Sequence, residues 1–270
     1  MIDAMMPATR PVGDYLREWR QRRRLSQLDL ALDADISTRH LSFMETGRAQ
    51  PSRDMVLRLA ERLEIPLRER NALLVSAGYA PVFPERRLDD PQLQPARKAM
   101  ELVLAGHEPY PALAIDRHWH LVAYNRAVQP LLAGIDPSLL QPPVNVLRLS
   151  LHPGGLAPRI ANHAQWRAHL FERLRHQIEV TADPVLVNLL NELSGYPAPA
   201  TAQRATETQD FAGVVVPFQL ATGNGTLSFI STTTVFGTPV DITLSELALE
   251  TFFPADAATA EVLRQLAADE

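Results

Sequence analysis

Over the first eighty residues apolar positions recur every three or four residues in five short runs, each broken by small or polar residues. Val12, Leu16 and Trp19 mark one face of a helix expected from about Val12 to Arg24, and its arginine-rich end suits the negative pole of a helix dipole. Ser26 stands at an N-cap position with Asp29 in the capping-box place, ahead of Leu28, Leu30 and Ala31 at helical spacing. Asp35 falls in a tight turn that favours left-handed backbone, Ile36 plugs the turn, and Ser37 caps the next helix. In that helix Leu41 and Met44 point inward, which leaves Thr38, Arg39, Ser42 and Phe43 outward. Gly47 fits a C-terminal cap. A fourth helix starts at Pro51-Ser52 with Met55, Val56, Leu59 and Leu63 inward. A fifth runs from about Pro66 to Ala77 and stops at Gly78.

Beyond Pro81 the period changes. A linker rich in proline and charge, PVFPERRLDDPQLQP, leads to a short connecting helix over Lys98 to Leu104. PALAID (111–116) and WHLVAYN (119–125) alternate with period two around a polar turn and predict a hairpin, after which Asn125 caps a helix. Residues 126–200 read as helical or irregular, with Trp166, Leu170, Leu174 and Ile178 on one face of a helix over His163 to Val180. Another helix starts at Asp183 and runs through Leu190. Strands return over Phe211–Leu220 and Thr226–Phe236, joined through Gly223-Asn224-Gly225, and a fifth lies within Leu247 to Phe253. Asp256 then caps a closing helix carrying Val262, Leu263 and Leu266. The expected organisation is an all-α, five-helix helix-turn-helix domain of lambda-repressor-like form over residues 1–80, a linker over 81–96, and an α+β domain over 97–270. The second domain has the PAS-like form, a five-stranded antiparallel sheet with helices across one face.

Charge sharpens this division. Residues 1–80 hold 13 arginines against 11 acidic residues, whereas the remainder is acidic, and the whole chain carries −5. An anionic partner is therefore expected for the first part alone. The absence of cysteine excludes disulfides, thiolate metal sites, cysteine nucleophiles and flavin–cysteine adducts. No run is apolar enough for a membrane span, and the first residues lack the pattern of a signal peptide, so a cytoplasmic protein is expected.

A helix, a tight turn and a second helix with small polar residues and an arginine outward is the arrangement that enters a DNA major groove. Ser26 and Gln27 at a helix start suit a phosphate. Arg39 suits guanine, and Thr38 and Ser42 suit base edges. Arg48 and Arg53 fall where they would meet the backbone. Leu25-Ser26-Gln27, Leu30-Ala31, Ile36-Ser37, Leu41-Ser42 and Glu45-Thr46-Gly47-Arg48 with Pro51 resemble the XRE/Cro/C1-type repressors. That resemblance puts Gln27, Thr38, Arg39 and Phe43 where the family contacts DNA, and the expected DNA-binding set is Ser26, Gln27, Ser37, Thr38, Arg39, Ser42, Phe43, Arg48 and Arg53. Asp35 in place of the usual turn glycine, and Phe43 at an outward position, depart from the pattern.

The second part resembles the MmyB-like regulators through Ala114-Ile115-Asp116 with Trp119, Asn125-Arg126, Asn145-Val146-Leu147-Arg148, Leu151-His152-Pro153, Arg159-Ile160 with Asn162, Asp183-Pro184, Phe236-Gly237-Thr238-Pro239 and Phe252-Phe253-Pro254-Ala255-Asp256. The resemblance implies a transcription factor whose second domain accepts a small apolar, fatty-acid-like ligand and whose partners are double-stranded DNA and a second copy of the chain. Asn125, Asn145, Arg148, His152, Arg159, Asn162 and Trp166 are the expected ligand-binding residues. Arg148 and His152 share a face if helical, and two readings of Arg148 stand side by side: a partner for a carboxylate head at the pocket mouth, or a surface ion pair behind an N-cap at Asn145. Burying ten methylenes would contribute about 8 kcal/mol before ordering costs, enough for micromolar recognition. Asp116, His118 and His120 would bind a metal only if all three shared a face; with Arg117-His118 in the hairpin turn, a solvated turn is expected and no metal or other cofactor. His152-Pro153-Gly154-Gly155 lacks the flanks of a phosphate loop, and no nucleophile set for an enzyme is visible. An alternative function is a constitutive repressor whose second domain only dimerises or docks a partner.

Overall fold

The structure is a computed structural model that describes residues 10–199, 215–223 and 225–268. Residues 211–214 of the predicted strand and Asn224 of the predicted hairpin lie outside them. The chain divides into two compact units at Glu85–Arg86, with the short segments Glu179–Ala182 and Val240–Ile242 grouped with the first.

Among the described residues the first unit holds five helices, α1 (Val12–Arg22), α2 (Gln27–Asp33), α3 (Thr38–Glu45), α4 (Arg53–Arg62) and α5 (Leu67–Ser76). Their starts follow the side chains that can satisfy free N–H groups. Ser26 and Asp29 form a reciprocal capping box, Ser37 accepts from His40 N–H, and Ser52 accepts from Met55 N–H. Asp35 takes the left-handed turn with φ 54°, and Gly47 and Gly78 take φ 72° and 83° at the ends of α3 and α5. Leu16, Leu30, Leu41, Met44, Val56, Leu59 and Leu73 are wholly buried together, and each such side chain contributes about 1.5–3 kcal/mol of transfer energy. At Gly13 a side chain would stand 2.5 Å from the Met44 carbonyl and 2.7 Å from that of Glu45, so α1 rests directly on the end of α3.

The expected linker is not loose at its start. Asn71 on α5 accepts from Val82 N–H and Phe83 N–H and donates to the Phe83 carbonyl, and Arg68 pairs with Glu85 in a two-bond fork. Residues 81–85 are thereby pinned to the first unit.

The second unit opens with α6 (Gln94–Gly106), longer at both ends than the predicted connecting helix. The strands β1 (Ala112–Ile115), β2 (Leu121–Tyr124), β3 (Phe218–Thr222), β4 (Gly225–Val235) and β5 (Ala248–Pro254) form one antiparallel sheet in the order β2-β1-β5-β4-β3. Between β2 and β3 come α7 (Val146–Leu151), α8 (His163–Thr181) and α9 (Pro184–Ser194). A short α10 (Ile242–Ser245) and the closing α11 (Ala257–Ala268) follow along the chain. Asn125 starts a 3-10 turn rather than an α-helix, and its side chain makes no cap.

Helices lie on both faces of the sheet, not on one. Ala112, Ala114, Leu247 and Leu249 pack with Met100 and Leu104 of α6. The opposite face, with Leu113, Phe218, Phe229 and Phe252, packs with α7, α8 and α9. The strand period of two sends neighbours on β5 to different layers, so Leu249 joins the first group while Ala248 and Phe252 join the second.

Candidate nucleic-acid interface and ligand cavity

The outward face of α3 carries Thr38, Arg39, Ser42 and Phe43. Arg39 is exposed and the other three are half-buried, with Arg48 exposed just beyond the helix. Phe43 has a definite job there. The guanidiniums of Arg39 and Arg48 lie 5.3 and 5.9 Å from its ring centroid, so the ring is a platform for two cations. Ser37 spends its hydroxyl acceptor on the cap of α3, Ser26 does the same for α2, and Arg53 is exposed at the first position of α4.

Behind this face lies a polar knot that sequence spacing does not reveal. Glu45, the last residue of α3, is 2 % exposed. Its carboxylate accepts from Arg20 Nε at 2.6 Å and Arg20 Nη2 at 2.9 Å, and from Gln27 Nε2 at 2.8 Å. Arg17 donates to the Glu45 backbone carbonyl at 3.1 Å, which satisfies one of the open carbonyls at that helix end. Burial pushes the Glu45 carboxyl up, but the Arg20 fork and the Gln27 amide outweigh it and hold the group below its ordinary range. α1, α2 and α3 are thus tied at one point. Gln27, expected at a phosphate, also gives one amide hydrogen to this knot.

In the second unit the sheet and its helical cover enclose a cavity of about 110 Å³, several times what one water needs. Leu113, Phe229 and Phe252 form its sheet side, and Leu147, Trp166 and Leu170 its helical side. Of the seven residues expected at a ligand, Trp166 alone belongs to this lining. The others are braces. Asn125 accepts from Ala112 N–H and donates to the carbonyls of Leu104 and Tyr110. Asn145 caps α7 and donates to the His118 carbonyl. Asn162 holds Pro217 and Gln219 ahead of and within β3. Arg159 donates to the carbonyls of Leu131 and Ala133. His152 accepts from Gly154 N–H and sets its ring edge-on to Tyr196 at 5.0 Å. Arg148 forks onto Glu192 with both bonds at 2.7 Å, the ion pair of its two readings. Burial, and then its bond to Glu192, push the Tyr196 phenol up to about 12.

The polar residues that do reach the cavity, Ser150, Arg173 and Glu250, escaped the sequence reading. A signal existed: Arg173 follows Trp166 and Leu170 along the inward stripe of α8, and Glu250 sits between Ala248 and Phe252 on the inward alternation of β5. A charge at an inward position on each of two facing elements predicts a pair.

The hairpin turn also departs from expectation. Donor atoms of Asp116, His118 and His120 come within 4.8 Å of one another. Each is already engaged: Asp116 accepts from both histidine N–H groups of the backbone and faces His120 Nδ1 at 3.0 Å, and His118 Nε2 lies 2.9 Å from Asp183.

Comparison with known proteins now bears on the whole chain. Residues 11–73 match the model of a helix-turn-helix domain, and residues 96–266 match that of the MmyB-like transcription regulator ligand binding domain, well over half of the sequence. The chain belongs to the MmyB-like transcription regulators. A protein of Methanoculleus marisnigri named as an HTH-type transcriptional regulatory protein is 38 % identical over 117 residues, which are 42 % of this chain and 37 % of that one. An RNA-binding light-oxygen-voltage receptor of known structure aligns over 97 % of the chain and 65 % of its own at 14 % identity, with a TM-score of 0.26. This MmyB-like regulator therefore joins a helix-turn-helix domain to a domain of the ligand-binding family. Among the described residues no helix is long and apolar enough to cross a membrane.

Proposed function

We propose that this MmyB-like regulator is a cytoplasmic homodimer that reads a DNA operator with α3 and alters its grip on that operator when an acyl-like molecule occupies the cavity. Arg39, Thr38 and Ser42 address base edges, while Arg48, Arg53 and Ser26 address phosphates. The observation that carries this reading is the exposed pair of arginines, Arg39 on α3 and Arg48 just beyond it, gathered on the Phe43 ring and backed by a buried knot. Two-fold pairing predicts half-sites about 34 Å apart, one helical turn, or a multiple of it. The cavity supplies the sensor, because an apolar lining with few polar groups recognises a tail by burial and a head by hydrogen bonding. A ligand shifts the regulator only if it binds the DNA-competent and incompetent states unequally.

The test is fluorescence anisotropy of duplexes selected from a random pool, using the full chain before and after organic extraction. Sequence-dependent binding with a steep salt slope that changes on extraction is the expected result. Binding that ignores sequence, or that is identical in both preparations while extracted lipid is found, would refute operator reading or ligand control respectively.

A further inference from the structure

The polar end of the cavity discriminates between head groups, an inference that rests on reading this cavity as the ligand site. The hydroxyl of Ser150 already accepts from Trp166 Nε1–H at 2.9 Å. The charged groups at this end are Arg173 and Glu250. The alternation of β5 turns Glu250 to the cavity face, where it is 4 % exposed. Arg173 Nη2 donates to one of its carboxylate oxygens, Arg173 Nη1 lies 3.4 Å from the other, and the Thr233 hydroxyl donates to the first at 2.9 Å. The guanidinium of Arg173 is 4.9 Å from the ring centroid of Trp119, which also lines the cavity. Among the described residues Arg173 is the one cation of the lining, and it is thus neutralised from within by a buried carboxylate of the chain itself.

We propose that the cavity selects an apolar tail bearing an uncharged hydrogen-bonding head, such as an alcohol, amide or ester, and that Glu250 is the specificity determinant that turns away free carboxylates. A carboxylate entering beside the pair would place two anions on one guanidinium, and each would disfavour the other's charged form. Displacing Glu250 is no easier, because its charge would be left buried without its partner. A hydroxyl needs neither event. It can donate to a free lone pair of Glu250 and accept from Arg173, leaving the pair intact. The same tail can therefore bind well or poorly according to its head.

Calorimetric titration of the full extracted chain with n-decanol and with decanoate, at about pH 8 where the acid is ionised, tests this. The expected result is decanol binding at least about tenfold tighter, as a second anion sharing one guanidinium with Glu250 requires. Glu250→Gln removes the negative charge while preserving shape, and should narrow or reverse the preference. Equal or tighter binding of decanoate by the unaltered chain overturns the proposal, as does a Glu250→Gln protein with the original preference. If the variant fails to fold, the comparison on the unaltered chain still decides. Failure of both ligands to bind would instead remove the cavity as a ligand site, and the inference would fall with it.

Discussion

Replacing Arg20 by Met isolates the role of the polar knot behind the recognition helix. The Glu45 side chain has no solvent access, and Arg20 supplies two of its short hydrogen bonds, at 2.6 and 2.9 Å. Removing one member of a buried pair typically costs about 3–5 kcal/mol, because the other charge stays buried. Here Gln27 remains at 2.8 Å, and Arg17 Nε stands 3.8 Å away on a side chain 42 % exposed. Both soften the loss, so about 3 kcal/mol is expected, a factor of roughly 150 in the opening equilibrium. Amide hydrogen exchange at Leu16, Leu41 and Leu59 reads this locally, without requiring two-state unfolding of a two-unit chain. The double variant Arg20→Met with Glu45→Met removes the stranded charge and should recover part of the loss. Direction with pH follows from the carboxyl. In the unaltered chain its folded value lies below the ordinary 4.5, so its stabilisation is present above that value and is lost as pH falls through the folded one. In the variant, burial without the fork raises the folded value, so the penalty is largest near neutrality and shrinks in acid. A loss under about 1 kcal/mol, or a double variant as unstable as both single losses added, would refute the reasoning.

Other consequences are open to direct measurement. Gly13→Ala should lower the melting temperature despite its better helix propensity, because the new methyl meets two backbone carbonyls that cannot rotate away; a loss of about 1–3 kcal/mol is expected in a urea titration. Arg39→Ala should reduce operator discrimination by about 1–3 kcal/mol in competition anisotropy, whereas Arg53→Ala should weaken all duplexes alike and flatten the salt slope by about one. Arg148→Ala should cost at most about 1 kcal/mol, since its pair with Glu192 is 39 % and 38 % exposed. Native mass spectrometry should then find ligand occupancy unchanged; a drop would return Arg148 to the ligand site.

Much of the architecture was written locally. The caps at Ser26, Ser37, Ser52 and Asp183, the turn at Asp35 and the inward residues of α3 and α8 depend on groups within a few positions of one another, so periodicity and cap chemistry specify them. The alternation around 111–125 and 218–235 likewise marked strands, because a half-buried sheet repeats every two residues. Partnership between distant residues was not legible. That Gln27 reaches Glu45, that Arg148 meets Glu192, and that Asn125 and Asn162 are braces depends on separations of 15 to 55 residues closed by packing. The cavity is the strongest case. Arg173 and Glu250 lie 77 residues apart, and only the laying of α8 across β5 makes two unremarkable charges into one neutral pair at the end of an apolar space. Local pattern decides which face of an element is buried; which buried groups then meet is decided by the packing of one element on another.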